Sequence, residues 1–269
     1  MTAQLDSVTE QIAAITSAAR FAQKSLAGAS RADKDAALAA MAEAIDANRA
    51  KILEANATDL DRGKANNTPA AMLDRLQLTD DRIDGLVSAL GDLAGLPDPI
   101  GNVVRGNNLP NGIRMQQVRV PLGVVGAIYE ARPNVTIDIA GIGIKSGNAV
   151  ILRGGSAAET TNGVTISLLR EALERQGLPA DLIQGIDELG REGANALMTY
   201  RRGVDVLIPR GGPGLIRTVV ENAAVPVIET GAGVGHVFVD ASADPTKAVD
   251  IVFNSKTHRP SVCNAAETV

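Results

Sequence analysis

Residues 123–136 read Gly-Val-Val-Gly-Ala-Ile-Tyr-Glu-Ala-Arg-Pro-Asn-Val-Thr, a short apolar run followed by a polar loop and the start of an apparent helix. Further apolar runs follow and alternate with helical segments such as 159–176 and 215–222. These runs are 149–152, 182–186, 204–208 and 225–228. Apolar strands that alternate with helices are typical of a parallel sheet that is covered on both faces and wound right-handed. The sequence therefore predicts an α/β fold whose sheet lies within residues 122–230.

Polar loops follow three of the predicted strands. They read Tyr129-Glu-Ala-Arg-Pro-Asn134, Arg153-Gly-Gly-Ser156 and Pro209-Arg-Gly-Gly-Pro-Gly214. Parallel sheets bind ligands beyond the carboxyl ends of their strands, glycine permits close backbone approach, and a helix N-terminus offers free amides to a phosphate. A glycine-rich turn alone is more often only a turn, and these glycines do not fit the G-x-G-x-x-G fingerprint. Two glycine-rich loops, 153–156 and 209–214, follow strands of the same predicted sheet. We therefore expect both loops to face a phosphate. The expected cofactor-binding residues are Arg153, Gly154, Gly155, Ser156, Pro209, Arg210, Gly211 and Gly212.

Arg153 stands at the tip of the second predicted strand, where an adenine ribose or its 2′-phosphate is usually met. An ordinary surface cation is the alternative interpretation. A cation at this place favours the phosphorylated cofactor, NADPH, over NADH.

The chain contains one cysteine, Cys263. Most free cysteines are small buried hydrophobes, and that alternative stays open. The neighbouring His258 and Arg259 favour the thiolate, which is the nucleophilic form. Pro260 ends a helix that is predicted over 245–255, and such a break exposes a side chain. We therefore expect Cys263 to be the chemical centre.

The first hundred residues are predicted to be helical. Apolar positions at helical spacing indicate helices over 6–27 and 31–57. Ser30, followed three residues later by an aspartate, supplies an N-cap for the second helix. A third helix is predicted to begin at Thr79 and to end at Gly95, two residues before a proline.

Residues 103–120 predict a β-hairpin, because Leu109-Pro-Asn-Gly112 separates two alternating polar and apolar runs. Asn-Gly is the strongest short hairpin signal. An isolated two-stranded hairpin is marginally stable in water, so the arm needs another chain or another segment to pair with. We therefore expect a homo-oligomer.

Composition argues against several classes of function. No apolar run approaches the ~20 residues of a membrane span, and the N-terminal residues lack the pattern of a signal peptide, so we expect a cytoplasmic protein. A net charge of −5 with 2% aromatic residues argues against nucleic acid as a partner. One cysteine and two histidines without paired spacing argue against a metal site.

Four segments carry a family resemblance. They read Tyr129-Glu-Ala-Arg-Pro-Asn-Val-Thr136, Ile151-Leu-Arg-Gly-Gly-Ser156, Val206-Leu-Ile-Pro-Arg-Gly211 and Arg259-Pro-Ser-Val-Cys-Asn-Ala-Ala-Glu-Thr268. Together they resemble the gamma-glutamyl phosphate reductase family, and His236-Val-Phe-Val-Asp-Ala-Ser-Ala-Asp244 resembles its parent, the aldehyde dehydrogenase superfamily. The resemblance spans essentially the whole chain. It implies N-terminal helices of the cofactor domain (1–102), a hairpin oligomerisation arm (103–121), a Rossmann-type NADP-binding domain (122–230) and the start of a catalytic domain (231–269).

The resemblance implies NADPH-dependent reduction of L-glutamyl 5-phosphate to L-glutamate 5-semialdehyde and phosphate, in proline biosynthesis. Cys263 would attack the acyl phosphate and form a thioester, to which NADPH delivers hydride. Asn134 would hold the oxyanion together with the backbone N–H of the cysteine. A helix N-cap is the competing role for Asn134.

Other residues receive weaker roles. Arg132 and Arg259 are the candidates for the anionic ends of the substrate, because arginine pairs bidentately with carboxylate and phosphate. A structural salt bridge is the alternative for Arg259. Glu229 is a weaker candidate for a general base, and His258 is given no catalytic role. The upstream glutamate kinase is a candidate partner.

Chains of this family continue well past the cysteine, with a glycine-serine-x-histidine-threonine stretch and a strand that joins the arm, whereas this sequence stops at Val269. We expect the continuing residues to form one wall of the cleft, so that the 269-residue chain alone binds NADPH weakly and lacks turnover. Two alternatives stay open. One is an inactive nucleotide-binding or assembly module, and the other is a hydrolytic or coenzyme-A-acylating enzyme of the aldehyde dehydrogenase type.

Overall fold

The computed structural model describes residues 2–130, 132–229, 231, 233–258, 260 and 264–269. The chain divides into two compact units, Met1–Glu229 and Thr230–Val269. In the described part of the chain, no helix has the length and apolar character that a membrane crossing requires.

Five helices precede the sheet. They are α1 (Thr2–Ala27), α2 (Arg31–Ala47), α3 (Arg49–Ala65), α4 (Ala70–Leu76) and α5 (Asp80–Gly95). The predicted cap at Ser30 is confirmed, because its side chain accepts a hydrogen bond from the Asp33 N–H. Thr79, where the third helix is predicted to begin, is the N-cap of α5 and accepts a hydrogen bond from the Arg82 N–H. The third predicted helix also ends at Gly95, as expected.

The single helix predicted over 31–57 is wrong, because the chain leaves helical geometry at Asn48 (φ −114°, ψ 24°). The Asn48 side chain donates a hydrogen bond to the Ala44 carbonyl oxygen at 2.8 Å. An asparagine side chain that bonds nearby backbone competes with the helical pattern. Two helices, α2 and α3, therefore replace the predicted one, and the separate short helix α4 was not predicted.

The predicted hairpin is confirmed. Strands β1 (Val103–Asn108) and β2 (Arg114–Val118) pair antiparallel, and the loop between them closes with a 2.8 Å bond from the Leu109 N–H to the Ile113 carbonyl. Gly112 has a φ of +85°, a conformation that favours glycine. All residues of both strands are exposed.

A four-stranded parallel sheet forms the centre of the first unit, in the order β5-β4-β3-β6. Its strands are β3 (Val124–Tyr129), β4 (Ala149–Arg153), β5 (Ile183–Gly185) and β6 (Val206–Arg210). The helices between and after them are α6 (Pro133–Lys145), α7 (Glu159–Arg175), α8 (Gly190–Thr199) and α9 (Pro213–Asn222). All six residues of β3 are buried, as a strand covered on both faces requires. The predicted α/β class is confirmed.

The fifth predicted strand, 225–228, is wrong. This segment forms only one parallel bridge, Leu207 with Val227. Leu207 donates to the Pro226 carbonyl at 2.8 Å and accepts from the Ile228 N–H at 2.9 Å. Because Pro226 has no N–H, it cannot extend the ladder, and the pairing stays at a single bridge.

Two buried lysines join the helices that cover the sheet. The Lys145 side chain is 4% exposed and donates hydrogen bonds to the carboxylate of Asp35 and to the Ala94 carbonyl. The Lys34 side chain is 3% exposed and pairs with Asp98 at 2.8 Å. Removal of one partner from such a pair leaves a buried charge without compensation. The Lys145 contacts therefore fix α2 and α5 against α6, and the Lys34 pair fixes α2 against the segment that follows α5.

The second unit contains β7 (Gly235–His236), α10 (Pro245–Thr257) and β8 (Ala266–Thr268). Its helix was predicted over 245–255 and is confirmed. Asp244 caps it by accepting from the N–H groups of Thr246 at 2.9 Å and Lys247 at 3.2 Å. The Lys256 ammonium group donates to the Glu267 carbonyl at 2.8 Å, which joins α10 to β8.

The ion pair of Asp35 generates a prediction about pH. Its pKa lies below the ordinary value because Lys145 donates a hydrogen bond to the carboxylate. Such a group stabilises the fold above its unfolded pKa of about 3.9, and this contribution is lost as the pH falls through the lower folded value. We expect Asp35→Asn to reduce the free energy of unfolding at pH 7 and to weaken its decrease below about pH 4, as measured by urea denaturation.

The control Asp61→Asn, in an exposed pair with Lys64, should leave both quantities unchanged. The same acid sensitivity in wild type and Asp35→Asn would contradict the assignment.

Candidate active site

The carboxyl ends of three adjacent strands bring the predicted loops together. In the sheet register, Ile128 of β3 lies between Arg153 of β4 and Pro209 of β6, and Tyr129 lies beside Arg210. The loops that follow β3, β4 and β6 therefore begin at one edge of the sheet. This is the edge at which parallel sheets bind ligands.

Arg153 presents an unsatisfied group at this edge. Its Nε atom is buried and has no hydrogen-bond partner among the described residues. A buried donor without an acceptor is rare in folded proteins and indicates a missing partner such as an ion or a ligand. The residue therefore fits an anionic group.

The loop after β4 is held by Asp187. The Gly154 N–H donates to Asp187 Oδ1 at 2.6 Å, and Asn162 Nδ2 of α7 donates to Asp187 Oδ2 at 2.9 Å. Burial raises the pKa of Asp187, while these two hydrogen bonds and the nearby charge of Arg153 act in the opposite direction. Asp187 thus fixes the backbone at the first glycine of the Arg153-Gly-Gly-Ser156 loop.

A directed chain of hydrogen bonds ends on Asp187. Thr136 donates its only hydroxyl proton to Asn162 Oδ1 at 2.8 Å, because a carbonyl oxygen can only accept. Tyr129 must therefore be the donor in its 2.7 Å contact with the Thr136 hydroxyl. Burial raises the pKa of Tyr129, which keeps that proton in place. The chain Tyr129, Thr136, Asn162, Asp187 connects β3 and α6 with the loop after β4.

Position 154 must be glycine, because a side chain there would clash with the residues of this hydrogen-bond chain. A Cβ atom there would lie 2.1 Å from Asn162 Nδ2 and 3.1 Å from Asp187 Oδ2. Its neighbour Gly155 precedes a short 3-10 turn that begins at Ser156, and the Ser156 carbonyl oxygen accepts a hydrogen bond from Arg62 at 2.9 Å. Gly154 is therefore explained by packing inside the protein, whatever ligand the loop meets.

The loop after β6 contains a second carboxylate contact. Glu130 Oε1 accepts a hydrogen bond from the Gly212 N–H at 2.8 Å, next to the N-terminus of α9. A Cβ atom at Gly211 would lie 2.7 Å from the Glu130 carboxyl carbon. Pro209 is buried and Arg210 is exposed. Two backbone amides of these loops, those of Gly154 and Gly212, already donate to the carboxylates of Asp187 and Glu130. Contact between these loops and a phosphate therefore stays a prediction.

Asn134 lies in the first turn of α6. Its predicted N-cap role is wrong, because the helix begins at Pro133 and Arg132 occupies the N-cap position. The Asn134 side-chain amide instead donates to Asp138 Oδ2, one turn later, at 3.2 Å. An amide NH₂ has two protons, so this bond orients the side chain and leaves a second donor. Arg132 is half-buried and has an interaction partner within the protein.

The remaining predicted residues belong to the second unit or border it. Cys263 and Arg259 lie outside the described residues, so their roles stay predictions. Glu229 is exposed and follows the single bridge of residue 227. His258 is exposed at the C-terminal end of α10.

Four residues of this region received no individual role from the sequence: Glu130, Asp138, Asn162 and Asp187. Asp187 follows the predicted strand 182–186, so the rule that strand ends carry function indicates it. Glu130 lies inside the loop after β3. Asn162 and Asp138 lie within helices, where no local pattern distinguishes them from solvated polar residues.

The chain is similar to known proteins. The sequence model of the aldehyde dehydrogenase family matches residues 2–269. The gamma-glutamyl phosphate reductase of Kineococcus radiotolerans is 56% identical over 97% of this chain and 61% of that protein, and that of Leifsonia xyli is 59% identical over 94% and 60%. The chain thus spans about 60% of the length of the curated relatives it matches.

Solved structures agree in fold. The gamma-glutamyl phosphate reductase of Thermotoga maritima has a TM-score of 0.88 and 41% identity, covering 95% of this chain and 62% of that one. An acetylating aldehyde dehydrogenase from Geobacillus thermoglucosidasius has a TM-score of 0.68 over 94% of this chain and 53% of its own, at 22% identity. The second similarity shows the fold alone.

The role of Asp187 generates a stability prediction. Asp187→Ala leaves the Gly154 N–H and the Asn162 amide without their acceptor. Each unsatisfied buried donor costs about 1–3 kcal/mol, so the free energy of unfolding should fall by roughly 2–6 kcal/mol in urea denaturation. The exposed neighbour offers a matched control, Glu188→Ala, which should change it by less than about 0.5 kcal/mol. Losses of the same size in both variants would show that the chain of hydrogen bonds does not stabilise the loop.

Proposed function

We propose, because the chain belongs to the aldehyde dehydrogenase family, that it forms the cofactor-binding part and carries the nucleophile of a cytoplasmic gamma-glutamyl phosphate reductase. The proposed reaction is the NADPH-dependent reduction of L-glutamyl 5-phosphate to L-glutamate 5-semialdehyde and phosphate, in proline biosynthesis. The likeness to reductases of this name supports the reaction. The observation that carries the proposal is the meeting of the loops after β3, β4 and β6 at one sheet edge.

Arg153 is the proposed contact for the 2′-phosphate, since its buried Nε atom has no acceptor among the described residues. The other proposed cofactor-binding residues are Gly154, Gly155, Ser156, Pro209, Arg210, Gly211 and Gly212. Asp187 orients the first of these by accepting from the Gly154 N–H. When bound, NADPH supplies the hydride that reduces the acyl group.

Cys263 is the proposed nucleophile. Its thiolate forms a C–S bond with the acyl carbon of the substrate, and the C–O bond to phosphate breaks, with the electron pair leaving on phosphate. Phosphate is a good leaving group, so this step needs no base to activate water. After reduction the C–S bond breaks, which releases the aldehyde and restores the sulfur. Glu229 stays a weaker candidate for a base.

Asn134 is the proposed oxyanion donor. One amide proton is engaged by Asp138, and the other is available to the developing negative charge. Loss of one such donor typically costs about 10²–10³ in rate. Arg132 and Arg259 are the proposed partners of the anionic ends of the substrate.

The exposed hairpin of β1 and β2 is the proposed oligomerisation arm, because its strand edges and its apolar side chains are exposed. Val103, Val104, Met115 and Val118 are all exposed. We propose a homo-oligomer through this arm and the upstream glutamate kinase as a further partner.

Cofactor choice gives the first test. Arg153→Ala should weaken NADPH binding by roughly 10- to 100-fold and NADH binding much less, because the charge-assisted contact exists only with a 2′-phosphate. Fluorescence titration with both nucleotides measures the two dissociation constants. Arg175→Ala, an exposed arginine at the end of α7, is the control for the loss of one charge and should change neither. Equal weakening for NADPH and NADH would remove Arg153 from the phosphate site.

The nucleophile gives the second test. Phosphate-dependent reduction of NADP⁺ by glutamate 5-semialdehyde is measured with this chain and with a form extended at its C-terminus to the length of the relatives. We expect phosphate-dependent turnover in the extended form and its loss in Cys263→Ala, while NADPH affinity stays the same. Turnover that depends on coenzyme A or on water alone would identify an acylating or a hydrolytic enzyme. Retention of turnover in Cys263→Ala would exclude this cysteine as the nucleophile.

A further inference from the structure

A groove with a volume of about 420 Å³ lies between α5 and α6. Most of its wall is apolar, and two carboxylates interrupt it. Its lining includes Leu90, Leu93, Leu96, Ile142, Asp92 and Asp138. The groove thus offers apolar contact along its length and negative charge at defined places.

Asp138 is the carboxylate that connects this groove with Asn134. The two residues are separated by one turn of α6, and Asn134 Nδ2 donates to Asp138 Oδ2 at 3.2 Å. Asp138 Oδ1 accepts no hydrogen bond from the described part of the chain. Asp138 also forms no ion pair with any of the described residues. Burial raises the pKa of Asp138 because its charged form is desolvated, and none of the described residues places a cation against this carboxylate.

The charge of Asp138 is unfavourable for the proposed reaction unless a cation neutralises it. A carboxylate one helical turn from an oxyanion donor repels the negative charge that develops there. The proposed substrate carries its own cation, the α-ammonium group, four bonds from the reacting carbonyl carbon. Four bonds of about 1.5 Å span at most about 5 Å. Because Asn134 Nδ2 and Asp138 Oδ2 lie 3.2 Å apart, a spacer of this length can join a carbonyl oxygen at one side chain to an ammonium group at the other, each at a hydrogen-bond distance of about 2.9 Å.

We propose that Asp138 binds the α-ammonium group of the substrate while Asn134 holds the reacting carbonyl oxygen. Asp138 then selects an amino-acid substrate over the same carbon chain without the amino group. This inference rests on the proposed function and assigns the specificity of that site.

The test uses two aldehydes in the phosphate-dependent assay with the extended form of the protein. Glutamate 5-semialdehyde carries the amino group, and 5-oxopentanoate has the same chain without it. Asp138→Asn removes the charge but keeps the size of the side chain and an acceptor for the Asn134 amide. We expect kcat/KM for glutamate 5-semialdehyde to fall roughly 10- to 100-fold, and kcat/KM for 5-oxopentanoate to stay the same or rise.

Asp92→Asn is the matched control, because Asp92 is an exposed carboxylate of the same groove. It should leave the ratio of the two kcat/KM values unchanged. An equal fall for both aldehydes in Asp138→Asn would mean that Asp138 only orients Asn134, and no change for either would exclude any role. A shifted ratio in Asp92→Asn instead would assign the ammonium group to Asp92. A wild-type protein that oxidises neither aldehyde with phosphate overturns the proposed function, and this inference with it.

Discussion

The carboxylate of Asp187 is the acceptor on which the geometry of the strand ends depends. Tyr129 donates to Thr136, Thr136 donates to Asn162, and Asn162 donates to Asp187. The last group in this chain of hydrogen bonds must therefore accept without donating. An ionised carboxylate meets this requirement and also accepts from the Gly154 N–H. Burial disfavours the negative charge of Asp187, and the positive charge of the neighbouring Arg153 partly offsets this effect. The same arginine that is proposed to bind the cofactor thus also supports the loop that presents it.

A second carboxylate fixes the other end of this loop. Asp59 of α3 is fully buried and accepts from the backbone N–H groups of Thr160 and Thr161 and from the Thr161 hydroxyl. A negative charge at the N-terminus of α7 is favourable, because the free amides of a helix end there. The loop from Gly154 to the start of α7 is therefore held at both ends by side chains from distant elements. A loop ordered in this way loses little further conformational freedom when a ligand binds.

Local rules predicted the elements well where the deciding residues are close in sequence. The buried run of β3, the caps at Ser30 and Thr79 and the hairpin turn depend on neighbours within a few residues. The break at Asn48 and the single bridge beside Pro226 are also local features. Each depends on one side chain, which the pattern of apolar positions does not reveal. The partners of the candidate site lie further apart.

Long-range partners explain what the sequence left out. Gly154 and Asp187 are separated by 33 positions, and Asn162 reaches Asp187 across 25. Only the register of β4 beside β5 and the packing of α7 bring them together, and no local pattern encodes either. Asn134 shows the reverse case, because its partner Asp138 is only four positions away. The sequence predicts an oxyanion donor at Asn134, with an N-cap as the competing role, and does not indicate this contact. That contact places an amide donor in the first turn of α6 and a carboxylate one turn later. Under the proposed function the charge of Asp138 repels the negative charge that develops on the oxyanion. A substrate that brings an ammonium group to Asp138 removes this repulsion, so recognition of the amino group and stabilisation of the transition state would be coupled through one helical turn.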